Sequence, residues 1–482
     1  MKVQTLKRTA GASVERECAG DLRRSSRNLN PQHHPMQRAR EYQRAVTAAK
    51  MERMFAKPFV GDLQGGHRDA VTCTATSRKA LLPLVSGAAD GCVALWDLAT
   101  RKRLTELAAH TRAVTAVEFC LDGQAFYSGS DDGLVHRWTV HPNNTNNNSN
   151  DMTDQSTRSR KASRSSLSST TTAETSSSHV PVATFRCNGG FKSISQSWTD
   201  VNRFATASDD AVQIWTPERT HALQTHSDLF GSQDTVSTVR WHPVEGHLLA
   251  HCSVDRGIGL HDIRASQALK KTVLRMRCND LQWNPMEPMN FAVANEDYNA
   301  YLFDMRKLDA PLRLYQGHTS AVLSLAWSPT GREFATASYD KTVRIFPLQQ
   351  GTAREIYHTK RMQRVQTVEW TADNKYIVTG SDDSNLRLWK AVASEQIGQL
   401  NRAEAQAQDY RAALVKRYQH LPQVKQIVKS RKIPRAIRNL TQQARLQKES
   451  ADRKQGNRVK YDKQGKYEFT PERKKVVVKQ VE

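Results

Sequence analysis

The stretch SGSDDGLVHRW, residues 128–138, joins small residues, an Asp-Asp-Gly turn and an alternating segment that closes on tryptophan. Small side chains end one strand, the aspartate and glycine supply a tight turn, and the alternation builds the next strand. Six variants of it recur: SGAADGCVALW (86–96), TASDDAVQIW (206–215), CSVDRGIGLH (252–261), ANEDYNAYLF (294–303), TASYDKTVRIF (336–346) and TGSDDSNLRLW (379–389). The turn aspartate falls at Asp90, Asp132, Asp210, Asp255, Asp297, Asp340 and Asp383, at intervals of 42, 78, 45, 42, 43 and 43. The one anomalous interval contains residues 143–178, an Asn/Ser/Thr-rich stretch of 36 residues whose removal returns 78 to 42. It has too little apolar surface to offset the entropy of ordering, and a disordered loop is expected there.

A second comb runs through Trp198, Trp241, Trp283, Trp327 and Trp370, with Phe119 in the same place one repeat earlier. Each ends a short alternating run such as VSTVRW or VLSLAW, which reads as an inner strand before its hairpin. A period near 43 with an Asp turn and a closing Trp resembles the WD-repeat family. Gly66-His67, Gly317-His318, His110 and Trp96-Asp97 stand as its signature residues. The resemblance implies an all-β, seven-bladed propeller in which His, a strand hydroxyl, the turn Asp and the closing Trp form a buried hydrogen-bond chain. His67, Asp90, Trp96, His110, Asp132, Trp138, Asp210, Trp215, His318, Asp340, Asp383 and Trp389 are then architectural rather than catalytic. His261, Phe303 and Phe346 replace the closing Trp in three repeats, where less rigidity is expected. Residues 61–390 less the insert make seven units of 42. By the same analogy, the segment around Phe59 and Val60 closes the ring as the outer strand of the last blade, which leaves no sheet edge open there.

Charge divides the chain differently. Net charge is +23, of which residues 1–60 carry +8, residues 391–482 carry +13, and the 330 residues between them +2. A quiet middle with cationic ends suits a body with arms that grip a polyanion. The seven cysteines show no CxxC pair and no His cluster at zinc-ligand spacing, so reduced thiols and no metal or cofactor are expected. The N-terminus lacks an apolar core region and no run is long enough to span a bilayer, so neither a leader nor a membrane partner is expected.

The first arm, residues 1–60, ends in REYQRAVTAAKMERMFAKPF (40–59), where Tyr42, Val46 and Ala49 predict a helix with one apolar face. The last, residues 391–482, switches to helical spacing through Ile397, Leu400, Ala407, Tyr410, Leu414 and Tyr418, with Ser394 placed as its cap. Pro422 restarts the helix, and Lys425, Lys429 and Lys432 align at i, i+4, i+7 opposite Val424, Ile427 and Val428. Pro434 opens a further helix that presents Arg435, Arg438 and Arg445. With Arg431, these cations are the candidate RNA contacts, because single-sign spacing leaves few ion pairs within the helix. Arg473, Lys474 and Lys475 fit a nuclear import signal better than a folded element.

REYQRA, ERMFAKPFVGDLQGGHRDAV, the seven repeats, KRYQHLPQVKQI, RKIPRAIRNL, KES and NRVK together make the chain similar to the Sof-type family (suppressor of fibrillarin) of WD-repeat proteins. The resemblance spans all but the insert. It implies a non-catalytic scaffold of the small-subunit processome in the nucleus and nucleolus, which associates with box C/D small nucleolar RNP proteins, other processome proteins and pre-rRNA and is required for small-subunit rRNA maturation. It implies no small-molecule substrate. An alternative comes from HDIR (261–264) and FDMR (303–306), which resemble the box by which WD-repeat substrate receptors meet a cullin-four ubiquitin ligase, with Arg264 and Arg306 as adaptor contacts. No P-loop, GxSxG, HExxH or GxGxxG signature is present, and the paired aspartates recur at the repeat period, which argues against an enzyme. Ser163, after basic residues in the insert, is a candidate phosphorylation site.

Overall fold

The computed structural model describes residues 33–140, 180–187, 189–209, 211–226, 235–265, 268–462, 465–466 and 468–481. The 143–178 insert, with Ser163, and the turn residue Asp210 lie outside the described residues. Seven antiparallel sheets follow one another around a ring. Blade 1 spans residues 71–108, blade 2 114–186, blade 3 191–226, blade 4 236–274, blade 5 278–315 and blade 6 322–357. Blade 7 takes three strands from residues 365–390 and its outer strand, Phe59–Asp62, from the other end of the chain. There Phe59 lies opposite Trp389 and Asp62 opposite Arg387, so the closure expected around Phe59 and Val60 is present. The rings of Phe59 and Trp389 meet edge to face at 5.4 Å.

The innermost strand of every blade carries a register shift after its first residue, as between Val71 and Cys73 or Val365 and Thr367. A bulge at that place increases local twist, which lets seven flat-faced sheets turn their inner edges toward one axis. The core lies between blades. Leu84, Ala94 and Trp96 of blade 1 pack on Val378, Leu386 and Leu388 of blade 7, and comparable clusters fill the other gaps. That interleaving follows from strand alternation, because both faces of every blade are covered by a neighbour.

The hydrogen-bond chain is whole in blade 2. His110 Nδ1 meets Asp132 Oδ2 at 3.1 Å, its Nε2 meets Ser128 Oγ at 2.9 Å, and Trp138 Nε1 donates to the same hydroxyl at 2.9 Å. In blade 6, His318 reaches Asp340 at 2.9 Å and Thr336 at 2.7 Å, but Phe346 has no N–H to extend the chain. Blade 1 corrects the expectation for Asp90. His67 and Trp96 share Ser86 Oγ at 2.6 and 2.7 Å, while Asp90 sits exposed and accepts the Cys92 backbone N–H at 3.0 Å. The carboxylate caps its own turn, and His67 Nδ1 has no hydrogen-bond partner among the described residues. Trp215 and Trp389 bond Thr206 and Thr379 at 2.8 and 2.9 Å. Where no histidine faces the turn, other side chains hold the aspartate: Lys271 and Ser253 for Asp255, Tyr301 for Asp297, Arg387 for Asp383. Burial alone would raise the Asp340 carboxyl, yet His318 and Arg344 hold it below the usual carboxylate range.

Candidate nucleic-acid interface

Among the described residues the arms form four α-helices. The helix α1, Gln37–Phe55, precedes the closing strand, and α2 (Arg402–Tyr418), α3 (Pro422–Lys429) and α4 (Arg435–Tyr461) follow blade 7. Helix α2 begins at Arg402, with Asn401 before it, so Ser394 caps nothing and Ile397 is exposed. Gly398 at φ +111° explains the late start, since a right-handed helix cannot continue through that conformation. The buried face of α1 is Glu41, Ala45, Ala48 and Ala49, with Val46 only half-buried. Small alanines there let α1 approach α2 and α3 closely. Tyr42 Oη donates to Gln423 at 2.8 Å, and Glu41 accepts from Arg417 at 3.2 Å and from Tyr418 at 3.1 Å.

This helical cluster is fastened to blade 6 through Glu355. Arg53 of α1 pairs with it at 2.8 Å, and Arg431, just beyond α3, at 3.4 Å. Arg53 also donates to the Val428 carbonyl at 2.9 Å. Arg431 is therefore placed apart from the other candidate RNA contacts. Burial lowers its guanidinium from the ordinary range and Glu355 opposes that shift, as expected of a side chain committed to an interior pair.

Lys425, Lys429, Lys432, Arg435 and Arg438 are exposed and form no ion pair among the described residues. Val424 beneath them is fully buried and Ile437 nearly so, which sets the apolar side of α3 and of the start of α4 inward. Lys425 and Lys429 lie on α3, but Lys432 falls in the extended break before α4, so the three do not share one helix. Pro434 forces that break, because the residue before a proline is disfavoured in the helical region. Arg445 is exposed and pairs with Glu449 at 2.7 Å.

The far end of the arm departs from the sequence expectation. Glu472–Lys475 forms a 3-10 turn, and Val477–Val481 adds a fifth strand to blade 4, antiparallel to Ala268–Leu274. Val476 is buried and Val477 packs against the same core, so Arg473, Lys474 and Lys475 belong to a folded element. The driving force is burial of Val476 and partial burial of Val477 with pairing of an open sheet edge, which outweighs the local charge. Lys448 on α4 meets Gln316 at 3.0 Å and Glu472 at 2.9 Å, pinning the long helix to the wall at blade 5. The anchors Arg53, Glu355 and Glu472 carry no local signal; the β-branched run VVV at 476–478 was the one readable sign of the terminal strand.

Arg264 and Arg306 lie two residues beyond the third strands of blades 4 and 5, with side chains 69% and 68% exposed. Each folds back onto the aspartate two residues earlier, Asp262 at 2.9 Å and Asp304 at 3.0 Å. By strand order they lie on the face that also carries the hairpins after the inner strands, opposite the face of the aspartate turns. Among the described residues no group of three or more His, Cys, Asp or Glu could hold a metal ion, and no helix is long and apolar enough to cross a membrane.

A Sof1-like domain model matches residues 391–477, and a WD domain, G-beta repeat model matches residues 59–97, 101–139, 309–346 and 355–390. "DDB1- and CUL4-associated factor 13" of Xenopus tropicalis is 40% identical over 100% of both chains, and the Homo sapiens protein of that name is 40% identical over 99% of each. "Protein SOF1" of Saccharomyces cerevisiae is 36% identical over 99% of this chain and 94% of its own. The solved WD40 β-propeller domain of Doa1 superposes with a TM-score of 0.54 at 16% identity, covering 69% of this chain and 96% of that one, a likeness of fold. The likeness to these relatives runs from end to end of the chain, and the chain belongs to the Sof1-like family of WD-repeat proteins.

Proposed function

We propose that this protein is a non-catalytic scaffold of ribosome biogenesis that works in the nucleolus within the small-subunit processome. It contacts pre-rRNA and box C/D small nucleolar RNP proteins and supports maturation of small-subunit rRNA. The observation that carries the reading is the set Lys425, Lys429, Lys432, Arg435 and Arg438, exposed and unpaired at the junction of α3 and α4 while their apolar neighbours are held inward. Cations that lack internal partners release phosphate counterions on binding, which gives affinity without sequence specificity. Membership in the Sof1-like family supports the same reading. The experiment is cross-linking in cells followed by depletion. Recovery of ribosomal precursor RNA, lost on charge reversal at those five positions, is the expected result; normal small-subunit rRNA processing in depleted cells refutes it.

A second reading is favoured by the names of the vertebrate relatives and by the exposure of Arg264 and Arg306 on adjacent blades. On this reading the protein also presents substrates to a cullin-four ubiquitin ligase. Arg264→Ala with Arg306→Ala should then abolish co-purification of the adaptor, and undiminished recovery removes these residues from that role.

A further inference from the structure

The tryptophans of the second comb meet at one mouth of the central channel, where they line a cavity of about 300 Å³ with Arg78, Arg240, Glu118 and Glu369. Three carboxyls face two guanidinia there. Arg78 lies over the Trp198 ring at 3.8 Å and bonds Glu118 at 3.1 Å. Arg240 is held between Glu118 at 3.5 Å and Asp280 at 3.7 Å. Both cations are thereby committed to Glu118 and Asp280, and Glu369 makes no hydrogen bond or ion pair among the described residues. Trp241 and Trp370, almost fully buried in the cavity wall, also leave their indole N–H groups without an acceptor.

We infer that this mouth is a binding site for one basic side chain, arginine or lysine, presented by an extended segment of a partner protein. An aromatic wall attracts a desolvated cation through the ring faces, and an unpaired carboxylate at its side fixes the charge. The cavity is large enough for a single such side chain, and its cation would favour the ionised form of Glu369. Burial pushes the Glu369 carboxyl up to about 8, with Arg240 opposing, Glu118 and Asp280 adding to the rise, and Arg78 opposing. In the free protein it is therefore mostly protonated at neutral pH, and capture of a cation releases that proton.

The full-length protein is titrated with capped arginine, capped lysine and capped citrulline, which has arginine's shape without its charge, and tryptophan fluorescence is read. A saturable change is expected for arginine or lysine and none for citrulline. Glu369→Gln should weaken binding at least tenfold while leaving the melting temperature at or above the parent's, which separates loss of the site from loss of the fold. Binding by the parent should strengthen as pH rises from 6 to 8 and level off above. No saturable change with either cation, an equal response to citrulline, or undiminished binding by a folded Glu369→Gln protein overturns the assignment.

Discussion

Arg53 of the N-terminal helix and Glu355 of the sixth blade form an ion pair at 2.8 Å across 302 residues of sequence, with side chains 22% and 10% exposed. Arg431 shares the same carboxylate, so one acidic side chain ties both arms to the ring. Removing it strands two guanidinia in a half-buried site. Glu355→Gln is expected to weaken docking of the helical cluster by about 2–3 kcal/mol. Hydrogen exchange should show α1 and α3 losing protection while strands of blades 1 to 3 keep theirs.

The two hydroxyls that anchor histidines in blades 2 and 6 are unequal. Ser128 accepts from Trp138 and meets His110, whereas Thr336 faces His318 with no indole above it. Ser128→Ala leaves two buried groups unsatisfied and should cost about 2–4 kcal/mol, with Thr336→Ala costing roughly half as much. Denaturant melts of the two variants test the order, which is the point of the comparison.

The residue after the turn aspartate adopts a left-handed conformation in every blade whose turn is described in full, at φ between 63° and 84°, yet only two of these six are glycine. Tyr298 at φ 71° and Lys341 at φ 64° are strained there, and both are exposed. Changing either to glycine should gain up to about 1 kcal/mol, since relief of the left-handed penalty exceeds the added chain entropy. Gly133→Ala should do the reverse, because a Cβ there would lie 2.8 Å from the Cys187 carbonyl. Thermal melts give both signs.

Acid should unfold the ring through its histidines. Burial lowers His136 to about 4, His251 to about 3 and His261 to about 4, so each takes up its proton more readily in the unfolded chain. Their contribution is full above the unfolded value near 6.5 and fades as pH falls toward 4 and 3. Among the described residues neither ring nitrogen of His261 has a hydrogen bond, and the equivalent residues of blades 5 and 6 are Phe303 and Phe346. His261→Phe should therefore hold its melting temperature better than the parent between pH 6 and 4. A steeper fall in the variant contradicts the argument.

On the proposed reading, the salt dependence of RNA binding measures how many arm cations meet phosphates. Neutralising Lys425, Lys429, Lys432, Arg435 and Arg438 to glutamine should reduce the slope of log affinity against log salt by about 3.5 on single-stranded RNA, at roughly 0.7 per contact. Arg431→Gln should leave the slope unchanged and instead loosen the arm, because its guanidinium is occupied by Glu355.

The sequence by itself determined the ring. Strand alternation, the Asp turns and the two combs are local patterns that repeat, and repetition makes a weak local signal unmistakable. The segregation of charge was legible too, as was the apolar side of α3 through Val424, whereas of the face read for α1 only Ala49 is among the buried residues. Which charges are free follows from the folded arrangement. Arg431 and Lys425 look alike in the chain, yet one is bound to a blade residue 76 positions away and the other faces solvent. The same holds for Arg473 to Lys475, read as an exposed signal until blade 4 supplied an edge for the valines beside them. Pairing of side chains and sheet edges depends on distances between segments remote in sequence, and no periodicity encodes those.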